Sequence, residues 1–123
     1  PIVRDVDRDR YFVGLEKCAT SAQFMTVCCP VTEEFQQNCP AAVHVDGTAR
    51  PQILSQPQNP DLYALLTRVG QLTGTPALIN TSFNMHEEPI VCTADDGVRA
   101  YLAAKLDGLW LGNYLVERTP TSA

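Results

Sequence analysis

The sequence predicts an α/β (α+β) domain: a mixed sheet with flanking helices. Three observations point there. Two amphipathic segments, after Asn59 and after Thr93, carry helix start and stop signals. Short β-rich runs alternate with them, giving strand, helix, strand, helix, strand over residues 50–116, with the helices expected against one sheet. The chain has 123 residues, 45% of them hydrophobic, which suffices for one domain spanning 1–123. A domain of that size buries roughly two-thirds of its unfolded-chain surface.

The first third carries the weakest signals. Pro1-Ile2-Val3 is apolar, and Arg4 to Phe12 can form a charged helix. Phe24-Met25-Thr26-Val27-Cys28-Cys29 is rich in β-formers and closed by Pro30, so a strand is expected there. Thr32 can cap one helical turn through Phe35 that ends near Cys39-Pro40. Ala42 to Val45 gives another short strand, stopped by the turn signal Asp46-Gly47, and Arg50 to Leu54 continues extended.

Two helices are clearer. Asn59 caps the first, with Pro60 at the first helical position, where its missing donor costs nothing. Leu62, Leu65, Leu66 and Val69 share one face; Gly70 weakens the end and Gly74 stops it. Ala77-Leu78-Ile79 then forms a short buried strand. In the second helix Thr93 caps, with Asp96 three residues on in a box-like arrangement. Val98, Tyr101 and Leu102 face the core, and Lys105 closes the last turn. Gly108 to Leu111 is a strand, and Gly112-Asn113 turns the chain into Tyr114-Leu115-Val116; Trp110 and Tyr114 are expected in core and edge packing. The polar tail, 117–123, is expected to fray.

Nine basic against fourteen acidic residues leave a charge of −5. A nucleic-acid module concentrates basic residues on one face; here Arg4, Arg8 and Arg10 are interleaved with Asp5, Asp7 and Asp9. Nucleic acid is therefore not an expected partner. No apolar stretch reaches membrane-spanning length, and no signal peptide precedes the first charges, so the expected location is the cytoplasm. Five cysteines, an odd number without a CxxC pair, imply buried free thiols rather than a disulfide framework or zinc ribbon. Cys92 lies in an apolar run and is expected in the core.

The polar cluster after Ala77–Ile79 is the most informative stretch. Asn80, Thr81, Ser82 and Asn84 are followed by His86, Glu87 and Glu88, before Pro89-Ile90-Val91 turns apolar again. Small amides and hydroxyls also build turns by bonding their own backbone, so site and turn stand about equal from these residues alone. Arg50, behind the Asp46-Gly47 turn, is either a solvated residue or a planar fork for a phosphate or carboxylate. His44, Asp46, His86, Glu87 and Glu88 show no metal-ligand spacing, and no residue presents itself as a general base.

Three blocks in order carry a resemblance: HVDGTAR at His44–Arg50, NTSFN followed by EEPIVCT, and LDGLWLGNYLV at Leu106–Val116. Together they resemble the C-terminal region of the ATP-dependent O-carbamoyltransferases, the nodulation-factor and antibiotic-tailoring enzymes. The resemblance implies part of a YrdC-like domain. It implies ATP and carbamoyl phosphate as substrates, forming carbamoyl adenylate and pyrophosphate, with transfer of the carbamoyl group to an acceptor hydroxyl in an actin-like N-terminal domain. By the same resemblance Arg50 contacts the phosphate-bearing substrate, and Asn80, Thr81, Ser82, Asn84, His86 and Glu88 complete the substrate set. Where the familiar family pattern has Arg-Gly, this chain has His86-Glu87. The family's metal ligands lie in the N-terminal portion.

Because the chain opens with Pro1 and lacks the family's Gly-Pro-Arg-containing block, it is expected to be an excised piece, inactive alone, whose partner is the missing N-terminal domain. The acceptor is left open, as is homodimerisation. A structural or dimerisation module without its own ligand site is the competing expectation.

Overall fold

A computed structural model describes residues 1–118 as an α+β arrangement built of two compact units, Pro1–Asn80 and Thr81–Ala123. The expected α+β class holds. The first unit contains β1 (Ile2–Arg4), α1 (Arg8–Tyr11), β2 (Cys29–Pro30), α2 (Glu33–Asn38), β3 (Thr48–Ala49), β4 (Gln52–Leu54), α3 (Pro60–Thr73) and β5 (Ala77–Leu78). The second contains α4 (Ala94–Ala103), β6 (Gly108–Leu111) and β7 (Tyr114–Glu117).

Strand β1 lies at the centre of the first unit, parallel to β4 and antiparallel to β5. Successive side chains of a strand point to opposite faces. Val3, Ile53 and Ala77 accordingly join one core cluster, with Tyr11, Phe12, Cys29 and Phe35. Ile2, Leu54 and Leu78 join another, closed by Leu66 from α3. The sheet is thus buried on both sides. A second, two-stranded pairing joins β2 to β3.

Helix α3 begins where the cap signals place it: Asn59 accepts from the Leu62 amide, and Gly74 ends the helix at φ 80°. Its buried stripe is narrower than expected. Leu66 is fully buried, but Leu65 is 47% exposed, so it leaves the predicted core face. Gly70 is required by a close approach, since a Cβ there would stand 2.8 Å from Pro76 Cβ. In the second unit α4 carries the full capping box between Thr93 and Asp96. Ala100 and Tyr101 are buried, whereas Val98 and Leu102 are exposed and Lys105 lies beyond the helix at φ 53°.

Several expectations are corrected. Residues Phe24–Cys29 do not form a strand: a 3-10 turn at Ser21–Gln23 and Met25 at φ 54° break the extended run, leaving only Cys29–Pro30 paired. The strand expected at Ala42–Val45 is displaced to Thr48–Ala49, because Pro40–Ala42 winds as 3-10 and His44 to Gly47 close a turn. The charged helix expected over Arg4–Phe12 is split between β1, a 3-10 turn at Asp5–Asp7 and α1. The strands form separate sheets rather than one. Ala77 and Leu78 are only half-buried and Ile79 is exposed, because β5 is an edge strand. Cys28 and Cys92 are exposed, not core thiols. Trp110 and Tyr114 are both 76% exposed; the face carrying Trp110 and its register partner Leu115 points away from the buried Leu109. Glu117 closes β7 and Arg118 donates to the Leu102 carbonyl at 3.1 Å, while residues 119–123 of the expected frayed tail lie outside the described residues.

Candidate functional site

The first unit builds one polar cleft from segments far apart in sequence. Thr48 anchors the turn before it: its amide and its hydroxyl both donate to Asp46 Oδ1, at 3.0 and 2.7 Å. The His44 amide donates to the Thr48 carbonyl at 2.7 Å, and the Gly47 amide to the His44 carbonyl at 3.0 Å. Gly47 sits at φ 77°, a conformation open to glycine without a Cβ penalty. The Thr48 hydroxyl, followed by its backbone amide, holds the Asp46 carboxyl below its usual range. Behind this fixed turn Ala49 is buried, and the next residue, Arg50, is exposed.

Arg50 lines a cleft of about 170 Å³ together with His44, Met25, Ile79 and Asn80. Two residues singled out from separate motifs, Arg50 and Asn80, therefore share one wall system. Among the described residues no carboxylate pairs with Arg50. Asn80 donates its amide to Gln52 Oε1, which fixes the orientation of its side chain. Met25, in the left-handed region at φ 54°, and His44 are among the cleft residues that sequence reasoning left out of the substrate set. His44 could have been found, since it opens the same HVDGTAR block as Arg50. Met25 could not, because its place depends on the broken strand.

The remaining predicted site residues belong to the second unit. Asn84 is a loop staple: its Nδ2 donates to the carbonyls of Met85 and Glu88 at 3.0 and 3.2 Å, and Ser82 Oγ donates to its Oδ1. The Val91 amide donates to the Phe83 carbonyl at 3.0 Å, closing the loop at its base. Glu88 is held by Arg99 through both carboxylate oxygens, at 3.0 and 2.9 Å. Thr81 and His86 are exposed, and His86 Nε2 lies 3.9 Å from Glu87 Oε1. Glu87 stands at φ 63°, the conformation that glycine adopts freely and other residues rarely. Thr81, Ser82, His86, Glu87 and Glu88 are thus exposed polar groups of the loop, of which Ser82 is bonded to Asn84 and Glu88 to Arg99.

Among the described residues no group of three or more His, Cys, Asp or Glu side chains could hold a metal ion. Among the described residues no helix is long and apolar enough to cross a membrane.

Comparison with known proteins supplies the context. The family described as "Carbamoyltransferase C-terminus" matches residues 1–118. An uncharacterised protein of Methanocaldococcus jannaschii is 36% identical over 96% of this chain and 19% of its own length. The nodulation protein NolNO of Sinorhizobium fredii is 37% identical over 99% of this chain and 18% of its own. The nodulation protein NolO of Bradyrhizobium diazoefficiens is 43% identical over 67% of this chain and 15% of its own. The chain thus spans less than a fifth of the length of these relatives.

Proposed function

This chain belongs to the carbamoyltransferase C-terminal family, and on that premise we propose that it supplies part of the substrate site of a carbamoyltransferase. The whole enzyme would convert carbamoyl phosphate, water and ATP to carbamoyl adenylate, releasing inorganic phosphate and pyrophosphate, and pass the carbamoyl group to an acceptor hydroxyl, releasing AMP. The observation that carries this reading is the cleft shared by Arg50 and Asn80, with a guanidinium free of carboxylate partners among the described residues.

In this proposal Arg50 binds the phosphoryl group through its planar fork. Asn80, oriented by Gln52, contributes a neutral contact beside it. The role is positioning and charge neutralisation, without a general base from this chain. Thr81, Ser82 and His86 are the proposed contacts of the second unit, with Asn84 shaping their loop and Glu88 held in charge balance by Arg99. The N-terminal portion of the enzyme would bring the acceptor and any metal, the reaction would run in the cytoplasm, and the chain alone would not turn over.

A second reading, a structural or dimerisation module, is favoured by the exposed Trp110 and Leu115 face of the β6–β7 hairpin. A two-dimensional amide NMR titration with carbamoyl phosphate separates the two. A binding cleft responds at residues 44–50 and at Asn80, and the response disappears in Arg50→Ala. A purely structural module leaves the spectrum unchanged.

A further inference from the structure

The turn before Arg50 does more than hold Arg50. Thr48 has one hydroxyl proton, and its Oγ1 has two neighbours: Asp46 Oδ1 at 2.7 Å and His44 Nδ1 at 3.0 Å. An ionised carboxylate only accepts, and Asp46 is held ionised by these same bonds. The hydroxyl proton therefore points to Asp46. The contact to His44 is then a hydrogen bond only if Nδ1 carries the proton and donates to Oγ1. This chain of three residues fixes the imidazole tautomer. Nδ1–H faces Thr48, and Nε2 is the ring nitrogen left for other partners. His44 lines the same cleft as Arg50 and Asn80.

We infer that His44 is a further ligand-contacting residue of the Arg50 cleft, its unprotonated Nε2 accepting from an O–H or N–H of a phosphate-bearing ligand, with Thr48 and Asp46 as the positioning residues that set its tautomer. The inference rests on the reading of the cleft as a phosphate site. Nothing in the sequence blocks alone assigns a working atom to His44; the assignment comes from the proton count at Thr48. A flat, oriented imidazole beside a guanidinium gives the cleft two contacts of different geometry, which a single exposed arginine lacks.

The test is a long-range proton–nitrogen spectrum of the chain labelled at histidine, whose two imidazoles belong to His44 and His86. The probe is inorganic phosphate, followed in parallel by the Arg50 side-chain signals. The expected result has three parts. The free chain shows His44 with Nδ1 protonated. Thr48→Val, which preserves shape but removes the hydroxyl, mixes the tautomers of His44 and leaves His86 unchanged. Phosphate shifts His44 Nε2 together with Arg50. If Arg50 moves while His44 stays still, or if His44 is protonated at Nε2 in the free neutral form, the inference is overturned and the phosphate cleft stands. If neither residue moves, the cleft reading and the inference fall together.

Discussion

Arg99 grips Glu88 through both carboxylate oxygens, at 3.0 and 2.9 Å, and reaches Asp96 at 3.7 Å. The loop after Phe83 is therefore pinned to α4 by charge as well as by backbone. The negative charge of Glu88 is matched by Arg99. Because the pair is exposed, screening weakens it. Glu88→Gln is expected to lower the thermal midpoint slightly at low ionic strength and to match the parent in high salt, as followed by circular dichroism.

Gly70 offers a test of packing against propensity. In an isolated helix an alanine there would gain about 1 kcal/mol. In the folded chain the added Cβ meets Pro76 at 2.8 Å, and both groups are held by their backbone. Overpacking of this kind costs about 1–3 kcal/mol. Gly70→Ala is expected to lower the urea midpoint, and an unchanged midpoint would mean that the segment after α3 is free to move away.

The legibility of this fold followed the range of its signals. Asn59, Pro60 and Gly74 bound α3, and Thr93 with Asp96 starts α4, because caps act over three or four residues and are written in the chain. The Gly112-Asn113 hairpin was legible for the same reason. The pairing of β1 with β4 and β5 was not, since strand partners are chosen by burial across long sequence separations. Phe24 to Cys29 has strong β-formers, yet Phe24 is exposed and Met25 turns left-handed, so tertiary context overrode propensity. For the candidate site, sequence motifs singled out Arg50 and Asn80 separately. Their common cleft with His44 and Met25 needed three dimensions.

Thiol reactivity should follow exposure. Cys28 and Cys92 are exposed, whereas Cys29 is buried with its sulfur 3.5 Å from Cys18. Burial, then the Cys18 contact, pushes the Cys29 thiol up to about 11. At pH 8 iodoacetamide should modify Cys28 and Cys92 first and Cys29 only after unfolding, since the thiolate is the nucleophile. Mass mapping of time-resolved samples checks the order, and early labelling of Cys29 would contradict its burial.

Glu87 takes up a left-handed backbone at the position where the resembling family pattern has glycine. A non-glycine residue there costs roughly 1–2 kcal/mol, partly offset by the chain entropy that glycine loses on folding. Glu87→Gly is expected to hold or raise stability by up to about 1 kcal/mol in chemical denaturation. A clear loss would show that the carboxylate, 3.9 Å from His86, contributes more than the backbone strain.

The most direct measurement of the proposed function compares the parent and Arg50→Ala forms of this chain within a whole carbamoyltransferase. It follows pyrophosphate release from ATP that depends on carbamoyl phosphate, with Arg50→Lys alongside. Loss of one preorganised charge contact at a transferring group typically costs about 100- to 1,000-fold in rate. The account predicts a fall of that order in Arg50→Ala with the fold intact, and only partial recovery with lysine, which keeps the charge but not the fork. A parental rate in a folded Arg50→Ala enzyme would contradict it.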